Sequence, residues 1–127
     1  MTGATLLLRQ IHPSFVQDGF PTSQAFRPTP KDESEFSVYD GDRITAGLSF
    51  IHYTTTWNLA SVGVMTLLVN ECTEEGLPAR PDPLEDCPEH AVVDFTGLTD
   101  KESYKKSKKL QAKALARGWQ HQASSAN

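Results

Sequence analysis

Hydrophobic and polar residues alternate near the start of the chain: from Thr5 to Ile11, Leu6 and Leu8 fall on one side, Leu7 and Arg9 on the other. That period of two predicts a first strand, ended by Pro13, which has no N–H to give a ladder. His12 and Ser14 then stand at a strand end. Asp18-Gly19 and Pro21 predict a turn, and Ser23 to Arg27 reads as a second short extended piece. In Arg27-Pro28-Thr29-Pro30 each residue before a proline is driven out of the helical region, so the backbone is extended and stiff. Such a segment would hold Arg27, Thr29 and Lys31 out as a fixed row. Phe36 to Tyr39 predicts a third strand, with the tight-turn pair Asp40-Gly41 after it.

Thr45 occupies an N-cap position ahead of Phe50, Ile51 and the 53–57 run, which predict a short helix weakened by Gly47 and three consecutive threonines. From Ala60 to Cys72 the chain is apolar on both faces at period two, and its β-branched residues favour a central strand covered on both sides. Glu74 to Pro88 holds four prolines and five acids and predicts a surface loop. His90 to Phe95 reads as a last strand. Thr99 and Glu102 then fit a capping box, and Gly118 a C-terminal stop, for a helix from Asp100 to Arg117. Its apolar side, Tyr104, Leu110, Ala114 and Leu115, is a thin stripe. Beyond Trp119 the tail 119–127 has little to pack and is expected to be disordered. The sum is an α+β domain over residues 1–118, with a small mostly antiparallel sheet, one weak central helix and a basic C-terminal helix.

A chain of 127 residues, 38% hydrophobic and 22% charged, fits one folded domain with a modest core. No apolar run approaches the roughly 18 residues of a membrane span, and the three leucines near the start fall short of a signal peptide. A soluble, cytoplasmic protein with no membrane contact is the expectation. Cys72 and Cys87 are too few for a disulfide scaffold and read as thiols. Charge is divided unevenly: residues 99–127 carry a net +5 and residues 1–98 a net −9. A basic arm on an acidic body marks either a surface for an anionic partner or a helix that complements its own domain.

Candidate chemistry concentrates between Arg9 and Thr45, where a His, a Tyr, three Arg, a Lys and four of the eight prolines lie together. Two functions compete. In the first, a binding module engages a protein or an anionic partner, such as a nucleic acid or nucleotide, through Arg27, Thr29 and Lys31 with Lys105, Lys106, Lys108 and Lys109. In the second, a metal-independent enzyme acts on RNA or a nucleotide. His12 would be its general acid or base, with Arg9, Ser23 and Tyr39 completing the catalytic set. Cys87-x-x-His90 has ligand-like spacing but lacks a second pair, and Asp40-Gly-Asp42 is explained by its turn. No metal or cofactor is expected. Gly-rich phosphate loops, Cys-x-x-Cys pairs and Gly-x-Ser-x-Gly elbows are absent from the sequence.

The block HPSF, TSQAFRPTPKD and SVYDGD, spanning His12 to Asp42, resembles that of a family of small bacterial proteins of similar length to which no activity is attached. The resemblance implies a compact domain. A looser likeness joins LLLRQIHP and Thr22-Ser23-Gln24-Ala25-Phe26 to the Arg-strand and hydroxyl strand of arginine-type ADP-ribosyltransferases. The Glu motif that such enzymes carry does not follow here.

Overall fold

The computed structural model describes residues 1–124. Six strands form one antiparallel sheet in the order β6-β7-β4-β1-β5-β8, so β1 (Leu6–Gln10) runs through its middle, between β4 (Glu35–Asp40) and β5 (Gly63–Leu68). β7 (His90–Asp94) flanks β4, and β6 (Ala79–Pro81) and β8 (His121–Gln122) close the two edges. A separate ribbon pairs β2 (Val16–Gln17) with β3 (Phe20–Pro21). The α+β class with a mostly antiparallel sheet holds, with more strands than the sequence predicts.

Both faces of the sheet are covered. On one, Leu7, Ile11, Phe36, Val38, Met65, Leu67 and Val93 pack with Leu110 and Ala114 of α3 (Asp100–Arg117). On the other, Leu8, Tyr39 and Val64 meet Phe50, Tyr53 and Trp57, from α1 (Ala46–Ile51) and the turn after it. Strand alternation makes this division: Leu8 stands opposite both Tyr39 and Thr66, while Leu7 is opposite Leu67 on the far side. Cys72 belongs to the first core and Cys87 to the second, so the sheet separates the two free thiols. Among the described residues no helix is long and apolar enough to cross a membrane.

Several segments depart from the sequence expectation. Ser23–Phe26 is a 3-10 turn rather than an extended piece. Its consecutive residues Ala25 and Phe26 are both fully buried, which a strand would place on opposite faces. The run from Ala60 breaks after Leu68 into α2 (Val69–Glu74). Glu71 causes the break, because one oxygen accepts from the Leu68 N–H at 2.7 Å and the other from Arg117 at 2.8 Å. Residues 74–88 are not wholly a surface loop: Leu77 and Cys87 are fully buried, and β6 pairs along β7. The chain beyond Trp119 is docked through residue 122, since Trp119 packs on the first core and β8 pairs with β5. Gly63 permits that approach, because a Cβ there would stand 2.5 Å from the His121 carbonyl. The remainder of the tail, 125–127, lies outside the described residues.

The C-terminal helix runs over the residues expected of it. Thr99 Oγ1 accepts from the Glu102 N–H at 3.1 Å, and Glu102 Oε1 accepts from the Thr99 N–H at 2.9 Å. The bond from the Thr99 N–H also holds the Glu102 carboxyl below its ordinary range. The buried stripe is Ser107, Leu110 and Ala114, whereas Tyr104 and Leu115 lie toward solvent. Replacing Thr99 with alanine removes the acceptor and should lower stability by about 0.5 to 2 kcal/mol, read as a shifted denaturation midpoint at unchanged slope. Alkaline pH supplies a second test. Burial pushes the Cys72 thiol up from 9.0 to about 12. Its neutral form is therefore kept in the fold while the unfolded chain ionises, and stability falls as pH rises from about 9 toward 12. Cys72→Ala should flatten that alkaline slope, measured as unfolding free energy against pH.

Candidate functional site: a cleft where two central strands part

β1 pairs with β4 only at Leu7 with Asp40 and Leu8 with Tyr39; beyond that point the strands separate. The Ser37 carbonyl, which the alternation of β4 turns toward β1, takes its hydrogen bond from a side chain instead: Arg9 Nη1 donates to it at 2.9 Å. Arg9 Nε donates to the Ala25 carbonyl at 2.7 Å, and the guanidinium lies 5.0 Å from the Phe36 ring centre. Desolvation lowers the Arg9 pKa, opposed by Tyr53 and Asp32 nearby. A guanidinium has five N–H groups, and two of them are used among the described residues. The opening is a cleft of about 410 Å³, with Arg9, Asp32, Ser37, Trp57 and His90 among its walls. That volume falls within the roughly 300 to 1,000 Å³ of small-molecule sites.

Two histidines are held beside it by the acidic, proline-rich segment before β7. His90 Nδ1 lies 2.9 Å from the Asp82 carbonyl and 3.2 Å from the Asp82 carboxylate. Both are acceptors only, so the Nδ1 of a neutral ring carries the proton, and Nε2 accepts from the Ser37 hydroxyl at 2.9 Å. His90 stands opposite Tyr39 across the β4–β7 ladder, and Ser37 is two residues along on the same face. His52 repeats the arrangement: Nε2 faces the Asp86 carbonyl at 3.0 Å, leaving Nδ1 to accept from the Tyr39 hydroxyl at 2.8 Å. Burial, reinforced by Cys87 and neighbouring acids, raises the Tyr39 pKa, so Tyr39 is a neutral donor. Trp57 sits between the two, with Nε1 donating to Asp86 Oδ2 at 2.6 Å and its ring 4.6 Å from that of His52. His52 opens a single π-helical turn, His52–Thr56, closed by the Trp57 N–H to the His52 carbonyl at 3.1 Å. Turns of this kind occur often at functional sites.

The residues singled out by sequence divide between this cleft and other places. Arg9, His12, Thr29 and Tyr39 line it. His12 Nδ1 caps the Pro13–Phe15 turn by accepting from the Ser14 N–H at 3.0 Å, and Thr29 is tied to Asp32 by two hydrogen bonds. Ser23 does not join them: it accepts from Arg27 at 3.0 Å, and Arg27 also donates to Ser107 at 3.1 Å and stacks 4.4 Å over Tyr104. The fixed cationic row is therefore not formed, because Arg27 turns inward to lock the 3-10 turn onto α3, while Lys31 stays exposed. The helix lysines also separate. Lys106 and Lys109 turn to the Glu75 carbonyl and carboxylate, and Lys105 and Lys108 remain exposed.

Asp40-Gly-Asp42 is an internal turn, with the Asp42 N–H on Asp40 and the Asp42 carboxylate accepting from Thr5 at 2.5 Å. Both ring nitrogens of His90 are engaged away from Cys87. Among the described residues no three His, Cys, Asp or Glu side chains gather as a metal ion would need. Ser37, Asp82 and Trp57 were not candidates by sequence, and His90 drew notice only for its metal-ligand spacing from Cys87. The available signal was a polar residue at an alternate position in each of two apolar strands, Ser37 in EFSVYD and His90 in HAVVD. Their meeting depends on the β4–β7 register, which no local pattern gives. No protein-family model, curated protein or solved structure matches the chain, so the meaning of this cleft rests on its own geometry.

Proposed function

We propose that the cleft between β1 and β4 binds a small anionic molecule bearing a planar ring, a nucleoside monophosphate or one of similar build. The observation that carries this reading is Arg9: a half-buried cation held in a parted sheet, with three N–H donors unused among the described residues. Phosphate suits such a planar fork, which offers two parallel hydrogen bonds. Trp57 and Tyr53, half-buried and lining the same cleft, supply a surface on which a ring can stack. Of the two functions weighed from sequence, this keeps the anionic ligand and moves it. Arg27, stacked on Tyr104 and donating to Ser23 and Ser107, fastens the 3-10 turn to α3, whereas Arg9 opens onto the cleft that Trp57 and Tyr53 also line.

Titration of the protein with the four common nucleoside monophosphates, followed by Trp57 fluorescence in a Trp119→Phe background, tests the site. At least one should bind at millimolar concentration or tighter and weaken as salt rises. Arg9→Lys, which keeps the charge and loses the fork, should weaken that ligand about tenfold, a change of roughly 1.4 kcal/mol. No binding by any of the four, or binding that Arg9→Lys leaves unchanged, rejects the proposal.

A further inference from the structure

The cleft holds a nucleophile, a base and an orienting acid in line: the Ser37 hydroxyl on His90 Nε2 at 2.9 Å, and His90 Nδ1 on Asp82 at 2.9 Å to its carbonyl and 3.2 Å to its carboxylate. We infer that Ser37 is a catalytic nucleophile with His90 as its general base, and that the substrate is a carboxylic ester of the anionic, ring-bearing alcohol assigned to the cleft. The ester class rests on that ligand assignment; the nucleophile rests on its own geometry. Three features separate this trio from an ordinary surface hydrogen bond. Ser37 is solvent-exposed although its partner His90 is only 7% exposed, so the reactive oxygen is open while the base is shielded. Both acceptors at Nδ1 fix the tautomer that leaves Nε2 free to take the serine proton. Finally, Ser37 and His90 open onto the same cleft as Arg9.

The chemistry balances with water as the only co-reactant. Ser37 Oγ bonds to the acyl carbon as its proton passes to His90 Nε2, and the Ser37 N–H, turned like its carbonyl toward the parted β1, is a donor for the developing oxyanion. The C–O bond to the alcohol then breaks, and the alcohol leaves with the proton from Nε2. Water next gives a proton to Nε2 and its oxygen attacks the acyl carbon. Ser37 departs from that carbon and recovers its proton, leaving a free acid. Asp82 touches no reacting atom and is a positioning residue. Its side chain is 52% exposed, and its carbonyl keeps a bond to Nδ1 when the carboxylate is removed.

A fluorophosphonate probe reads the nucleophile without knowledge of the substrate. The unmodified protein should be labelled at Ser37, located by peptide mass, with labelling lost in Ser37→Ala and slowed at least about a hundredfold in His90→Gln. Ser37→Cys guards against a folding failure of the His90 variant. Its new thiol should react with iodoacetamide at pH 7 at least ten times faster than free cysteine, the mark of a thiolate held by its neighbour. Absence of Ser37 labelling, or a Ser37→Cys thiol no faster than free cysteine at pH 7, overturns the nucleophile. The second arm uses 3′-O-acetyl-adenosine monophosphate. Its hydrolysis, dependent on Ser37 and slowed by Arg9→Lys, supports the ester class, and labelling at Ser37 without hydrolysis removes that class. Nucleotide binding without Ser37 labelling leaves the cleft as a binding site and removes the chemistry; labelling without nucleotide binding does the reverse.

Discussion

Arg9 stands where a backbone rung would otherwise join the two middle strands. A parted pair in the centre of a sheet leaves carbonyls without their ladder partners. A half-buried cation likewise loses part of its water and needs acceptors in its place. Each problem answers the other here, because the guanidinium takes the Ser37 and Ala25 carbonyls and lies against Phe36. The Ala25 contact matters beyond charge. It fastens the 3-10 turn, with the fully buried Phe26, to the sheet beside the opening. Arg9 thus holds the cleft open and binds together its walls.

The opposite wall depends on the segment between β6 and β7. Asp82 and Asp86 each present a backbone carbonyl to a histidine, and through those histidines they orient the Ser37 and Tyr39 hydroxyls. The two relays differ in what lies at their ends. Tyr39 is buried, and its pKa is raised by that burial, so its proton stays in place and the relay is structural. Ser37 is exposed, so the same arrangement there ends at the cleft. Trp57, fixed by Asp86 and edge-on to both rings, keeps the two histidines apart.

The basic arm serves the fold first. Arg117 bridges the Thr66 carbonyl and Glu71, and Lys109 approaches Glu75 at 3.4 Å, so positive charge on α3 meets negative charge on α2 and its C-cap. Exposed pairs of this kind are individually worth little, about 0 to 1 kcal/mol. Arg117 and Glu71 are the more shielded pair, and because Glu71 also takes the Leu68 N–H, they fix where β5 ends and α2 begins.

Local chemistry in the sequence determined the first strand with its alternating leucines, the Thr45 cap, the reach of α3 and its capping box. Each depends on residues within a turn or two of one another. It also drew attention to the Arg9–Thr45 stretch, which supplies the residues of both strands that border the cleft. Tertiary structure decided the rest. Ser23–Phe26 became a 3-10 turn because two adjacent side chains found core on the same side, and the strand from Ala60 was cut short by Arg117 and Glu71, 46 residues apart. The site followed the same rule: Ser37 and His90 are 53 residues apart and meet only through the register of β4 with β7. Hydrogen bonds across such separations depend on which strands become neighbours, and that is set by the burial of the whole sheet rather than by any segment of it.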